Sequence, residues 1–228
     1  MKITKILLYA SLCGTINSWC GNCASQSVTT TPELVHILND AIETGALDLS
    51  YPVLNFLDSD AMALLLMRIK NDMRIHTIDL SGNKLSLIHD DQLTLLCALL
   101  SEMPYIQTLV LSTCHLASMM PENLRQLSIL VITMPNLQRV DLSNNRLGGH
   151  TQIFVNHLAQ VRHTMNIDLR RNGLGYLYQQ DFARLFQAMN RLPDIQFDVR
   201  NNLLLDEDDE WIQNTLIALN LQPHFQFD

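Results

Sequence analysis

One pattern recurs along this chain and limits what it can fold into: apolar, two variable, apolar, one variable, apolar, two variable, Asn or Cys, one variable, apolar. It is clear from Ile75 to Leu85, from Ile106 to Leu116 and from Leu137 to Leu147. Two further copies depart at the first position, Thr164 and Asp194, but keep Ile167, Leu169, Asn172 and Leu174, then Phe197, Val199, Asn202 and Leu204. With fainter copies at Leu49 and Phe227, the sixth position falls at residues 49, 80, 111, 142, 169, 199 and 227, at spacings of 31, 31, 31, 27, 30 and 28. A period of this length marks a solenoid, because one unit cannot bury both of its apolar faces and must stack on its neighbours.

Between the repeats, residues 60–71, 90–102, 121–133, 152–162, 180–191 and 207–219 carry apolar residues at helical spacing, as in Leu93, Leu96 and Leu100. Pro121 and Glu122 suit a first helical turn, as do Asp90 and Asp91 at the positive end of the helix dipole. A capping helix is expected over 31–44, closed by Gly45, and a terminal edge strand over 224–228.

The pattern resembles the leucine-rich repeats, whose consensus LxxLxLxxNxL these segments match, and the long unit resembles the ribonuclease-inhibitor-like subclass. The resemblance implies an α/β solenoid, a short curved array with parallel strands on the concave side and helices on the convex side. Asn83, Cys114, Asn145, Asn172 and Asn202 occupy the ladder position, where the chain turns out of the strand and a side chain must supply the hydrogen bonds that the backbone loses. Their expected role is structural, with Cys114 a buried thiol in the ladder and Cys97 a core residue.

In such a fold the third, fifth and seventh positions face the concave surface. The fifth reads Asp48, Asp79, Val110, Asp141, Asp168, Asp198 and Gln226, and the seventh Ser50, Ser81, Ser112, Ser143, Arg170, Arg200 and Asp228. The third adds Ala46, Thr77, Thr108, Arg139, Asn166 and Gln196. The C-terminal half therefore gathers Asp141, Asp168, Arg170, Asp198 and Arg200, with Arg171, Tyr176 and Tyr178 on the adjoining edge. These eight residues are the candidate partner-binding set, since Tyr and Arg are enriched at binding hot spots. The same lattice of alternating charge also reads as a polar surface that neutralises itself.

The formal net charge of -8 excludes the basic footprint that nucleic acid requires. No Gly-rich phosphate loop, nucleophile elbow or paired metal motif occurs, so no catalytic residue, metal or cofactor is expected. His157 and His163 read as polar residues on a solvated helix face. Lys2 and Lys5 precede an apolar run from Ile6 to Ile16, which marks 1–25 as a signal peptide and leaves 26–228 as the repeat domain. That run is too short for a stable membrane span, which needs about 20 residues. Cys13, Cys20 and Cys23 lie within the signal segment.

The leading functional expectation is a non-enzymatic protein-interaction module, secreted or extracytoplasmic, that binds a protein through its concave face. Resemblance to small leucine-rich-repeat effectors and surface proteins of bacteria implies delivery into a host cell as one destination. The alternative is a structural or envelope protein with no dedicated recognition face.

Overall fold

Successive side chains on an extended segment point to opposite sides, so a repeat with apolar fourth and sixth positions buries one side and solvates the other. In a computed structural model that describes residues 32–51, 59–161, 163–204, 210–219 and 225–227, this produces seven short strands. They are β1 (Ala46–Asp48), β2 (Thr77–Asp79), β3 (Thr108–Val110), β4 (Arg139–Asp141), β5 (Met165–Asp168), β6 (Ile195–Asp198) and β7 (Phe225–Gln226). All six pairings are parallel and run in sequence order through one sheet. The register is that of the repeat: Ala46 lies beside Thr77, Thr108 beside Arg139, Asn166 beside Gln196, and Asp141 beside Asp168.

The two imperfect repeats are repaired locally. Thr164 and Asp194 are exposed, and the next residues, Met165 and Ile195, turn inward and are buried, so β5 and β6 begin one residue earlier than their neighbours.

After each strand the chain must reverse sharply, and it does so through left-handed residues. The eighth position of the repeat has positive φ in Gly82, Thr113, Asn144, Arg171 and Asn201, and the tenth in His115, Arg146, Gly173 and Leu203. An L-residue with a Cβ pays roughly 1–2 kcal/mol for this conformation, least for Asn and nothing for Gly. The regularity of the turn is thus imposed by stacking and not by the residues that occupy it.

Helices return the chain on the other side: α1 (Pro32–Thr44), α2 (Ser59–Ile69), α3 (Asp90–Ser101), α4 (Pro121–Thr133), α5 (Thr151–Leu158), α6 (Gln179–Met189) and α7 (Glu210–Ala218). Gly45 closes α1 at φ +74°, where an added Cβ would meet the Arg74 carbonyl at 3.0 Å. Pro121 opens α4 at its first turn, and Asp90 and Asp91 open α3. Where the periodicity predicts a helix over 152–162, α5 ends at Leu158 after eight residues. A 3-10 turn, Gly148–His150, runs directly into it, whereas the 3-10 turns Leu85–Leu87, Leu116–Ser118 and Leu174–Tyr176 are each separated from the next helix by two residues, which fits this short repeat of 27 residues.

The core between sheet and helices is mainly aliphatic from Leu47 to Leu174, with leucine the commonest residue, and becomes aromatic toward the C-terminal repeats. There Phe182 stacks on Phe186 at 4.5 Å, Trp211 meets Phe182 edge-on at 5.4 Å, and Phe225 lies within 6 Å of Phe186, Phe197 and Phe227. Such pairs add about 0.5–1.5 kcal/mol each beyond the area they bury.

Among the described residues no helix is long and apolar enough to cross a membrane. Residues 1–25, expected from the sequence to be a signal peptide, lie outside the described residues together with Cys13, Cys20 and Cys23, as do Thr31, Arg162, the acidic run 206–209, residue 224 and Asp228.

Candidate functional site

The ladder comes first because it holds the concave strands in place. Asn145 donates from Nδ2 to the carbonyls of Leu111 (2.7 Å), Leu142 (2.9 Å) and Ser143 (3.2 Å), while its Oδ1 accepts the amides of Cys114 (2.8 Å) and Leu116 (3.3 Å). Asn172 and Asn202 repeat the arrangement one and two units on, their Oδ1 atoms accepting the amides of Asn145 and Leu147 and of Asn172 and Leu174. Cys114 reproduces half of it: its thiol donates to the Leu80 carbonyl at 3.1 Å. Burial pushes that thiol up to about 12, as it does that of Cys97 in the core of α3, so both stay protonated. At Asn83 the carboxamide donates to Leu49 and Leu80, but its buried Oδ1 has no partner.

The fifth-position aspartates also have a backbone duty. In Asp48, Asp79, Asp141, Asp168 and Asp198, Oδ1 accepts the amide of the residue two places on, at 2.7–3.2 Å, and so closes the C-terminal end of each strand. This explains the column without any ligand.

In the C-terminal half a second use is added. Arg170 grips Asp168 with Nε and Nη2, the latter at 2.6 Å, and its Nε lies 3.5 Å from Asp198; Arg200 grips Asp198 at 2.6 Å. Burial disfavours the charge on Asp198, yet the hydrogen bonds from the Arg200 side chain and amide outweigh it and hold the carboxyl below its ordinary value. Asp168, 5% exposed, is closed off beneath Arg170. Arg139 and Asp141, adjacent in sequence pattern, form no ion pair.

The adjoining rim differs. Tyr176, in a 3-10 turn, and Tyr178, just before α6, are 80% and 85% exposed, and Arg171 beside them is exposed in a left-handed conformation. Leu87, Met120 and Leu203 lie exposed on equivalent turns of other repeats. The turn at Tyr176 is pinned from behind: a Cβ on Gly175 would lie 2.5 Å from the Leu203 carbonyl.

A polar groove of about 190 Å³ opens on the concave face, lined by Arg139, Asn166, Ile167, Asp168, Gln196, Asp198 and Gln226. The sequence pattern did not single out its carboxamides; their membership follows only from the stacked register. His157, expected on a solvated face, is instead half-buried between helices, its Nδ1 2.9 Å from the Ser128 hydroxyl and 2.8 Å from the Ile153 carbonyl. His163 Nε2 lies 2.6 Å from the Leu137 carbonyl. No cluster of three metal-ligating side chains occurs among the described residues.

The family model for the Leucine Rich Repeat matches residues 136–158, the unit that begins at β4. A search of curated proteins finds no significant match. Among solved structures, the chain is similar to the leucine-rich repeat-containing protein LegL7 from Legionella pneumophila, with a TM-score of 0.59 at 19% identity over 76% of this chain. The match covers 53% of that protein, so this chain spans about half of its length.

Proposed function

We propose that this leucine-rich-repeat solenoid is a non-enzymatic protein-interaction module that holds a protein partner on the C-terminal half of its concave face and the adjoining rim. The observation that carries the reading is the pair Tyr176 and Tyr178, 80% and 85% exposed on the segment that follows β5, with Arg171 exposed on the same segment. Large aromatic side chains left in water cost free energy that a partner recovers, and Tyr and Arg are the residue types that dominate interface energetics. Six spacings of about 4.8 Å make the sheet about 29 Å long, and with the rim loops it approaches the roughly 800 Å² that each partner of an ordinary interface buries.

Within this reading the eight sequence-derived residues divide. Arg171, Tyr176 and Tyr178 are contacts, Asp141, Arg170 and Arg200 border the contact surface, and Asp168 and Asp198 act as supports that fix the arginines. Capture of a partner by the full chain, identified by mass spectrometry, is expected to fall at least tenfold for Tyr176→Ala with Tyr178→Ala and to be unchanged for Arg125→Glu on α4. Equal capture by all three proteins would place the site elsewhere.

A structural or envelope role is the second reading. It is favoured by the mutual pairing of Arg170 and Arg200 with Asp168 and Asp198, which leaves that lattice satisfied without a partner. Export rests on the signal-like residues 1–25. A fusion of residues 1–30 to a reporter active only outside the cytoplasm is expected to give signal, and a silent reporter with intact Met1 would return the protein to the cytoplasm. Delivery into a host cell is an extension of that export.

A further inference from the structure

Polar side chains on the concave face fall into two sets. The first is occupied: Asp168 and Asp198 accept from Arg170, Arg200 and the backbone amides of both arginines. The second has no side-chain partner among the described residues. The guanidinium of Arg139, exposed at the start of β4, makes no ion pair or hydrogen bond among the described residues, although Asp141 is two residues away; Asp141 turns Oδ1 to the Ser143 amide at 2.9 Å. The carboxamides of Asn166, Gln196 and Gln226 are likewise uncommitted, and all four side chains line the same groove.

Their placement is ordered. Arg139, Asn166 and Gln196 are direct neighbours across β4, β5 and β6, and Gln226 sits one row over, beside Asp198. Three side chains at the inter-strand spacing span about 10 Å, the length of about three residues of extended chain at 3.3 Å each. A carboxamide offers one donor group and one acceptor, the same complement as a peptide group, so a row of them can pair with the N–H and C=O of an extended backbone. The charge of the groove is equally specific. Its two carboxylates are matched by Arg170 and Arg200, which leaves Arg139 as the free cation among its lining residues, with a planar fork suited to a carboxylate. One cation in a chain of net charge -8 suits a single acidic group and disfavours a polyanion.

We infer that the groove reads a short extended segment of the partner, an acidic residue seated on Arg139 and flanked by uncharged residues whose backbone pairs with Asn166, Gln196 and Gln226. The inference rests on the concave-face reading above and adds the chemistry of what is bound.

The test is a random heptapeptide library displayed on phage and panned on the full chain, followed by polarisation measurements with synthetic labelled peptides from the enriched set. Enriched sequences are expected to share Asp or Glu at one position. Replacing that residue by Asn or Gln should weaken binding at least tenfold on the native chain and less than twofold on Arg139→Met, while Gln196→Leu should weaken every enriched peptide. Arg139→Gln serves as the second variant if Arg139→Met melts differently from wild type. Absence of enrichment, enrichment without an acidic position, or equal sensitivity on native and Arg139 variants would overturn the inference. If binding ignores Arg139 and Gln196 but is lost with Tyr176→Ala and Tyr178→Ala, the rim reading stands and the groove reading fails. If neither set matters, both fail.

Discussion

Truncating Asn145 to Ala separates a ladder that carries the fold from one that merely decorates it. Asn145 is 2% exposed, and its side chain serves five backbone groups. Two of these keep other partners after truncation, since Leu142 still accepts from Asn172 and Ser143 still accepts from the Thr113 amide. The Cys114 and Leu116 amides and the Leu111 carbonyl lose the partner that Asn145 supplied. A buried backbone group left unpaired costs about 1–3 kcal/mol, so three at the lower end give about 3 kcal/mol. For a chain of this size that is a fall of roughly 6–12 °C in Tm. Asn83→Ala supplies the internal control. Its Oδ1 has no partner to lose, and Leu80 still accepts from the Cys114 thiol, so only the Leu49 carbonyl is orphaned, for about 1 kcal/mol. Urea unfolding followed by circular dichroism, with m-values compared to establish that the transition is unchanged, measures both. Losses for the two variants that agree within about 0.5 kcal/mol, less than the expected spread between repeats, would refute the accounting.

Gly175→Ala is expected to lower stability by about 1–3 kcal/mol, because its Cβ would lie 2.5 Å from the Leu203 carbonyl and 2.8 Å from the Asn202 carbonyl, and the backbone has to move; a thermal melt checks it. Asp198 has a carboxyl pKa below its unfolded value of 3.8, so its contribution is present above that pH and disappears as pH falls through the lower folded value. Asp198→Asn should therefore show a shallower loss of stability than wild type below about pH 4, measured by urea titration at several pH values. Cys97 and Cys114, with thiols near 12, should resist alkylation by iodoacetamide at pH 8 in the folded chain and react once it is unfolded, as read by peptide mapping. Rapid labelling of either in native buffer would contradict their burial.

The repeat in the sequence was sufficient for strand order, parallel register, the ladder at Asn83, Cys114, Asn145, Asn172 and Asn202, and most helices, because each is a local consequence of a periodic apolar pattern stacked on itself. Even the concave columns could be written from it, since side-chain direction in a strand follows from counting. Three things needed the tertiary structure. Met165 and Ile195 take over the inward position vacated by Thr164 and Asp194, a substitution that only the facing core can enforce. The charged lattice pairs within itself, whereas Arg139 and its neighbouring carboxamides stay free; composition is the same in either case, and only side-chain geometry across adjacent strands decides which groups meet. Likewise, the buried Oδ1 of Asn83 is left without a donor although the residue fits the ladder pattern, a difference visible only where stacked repeats bring distant groups into contact.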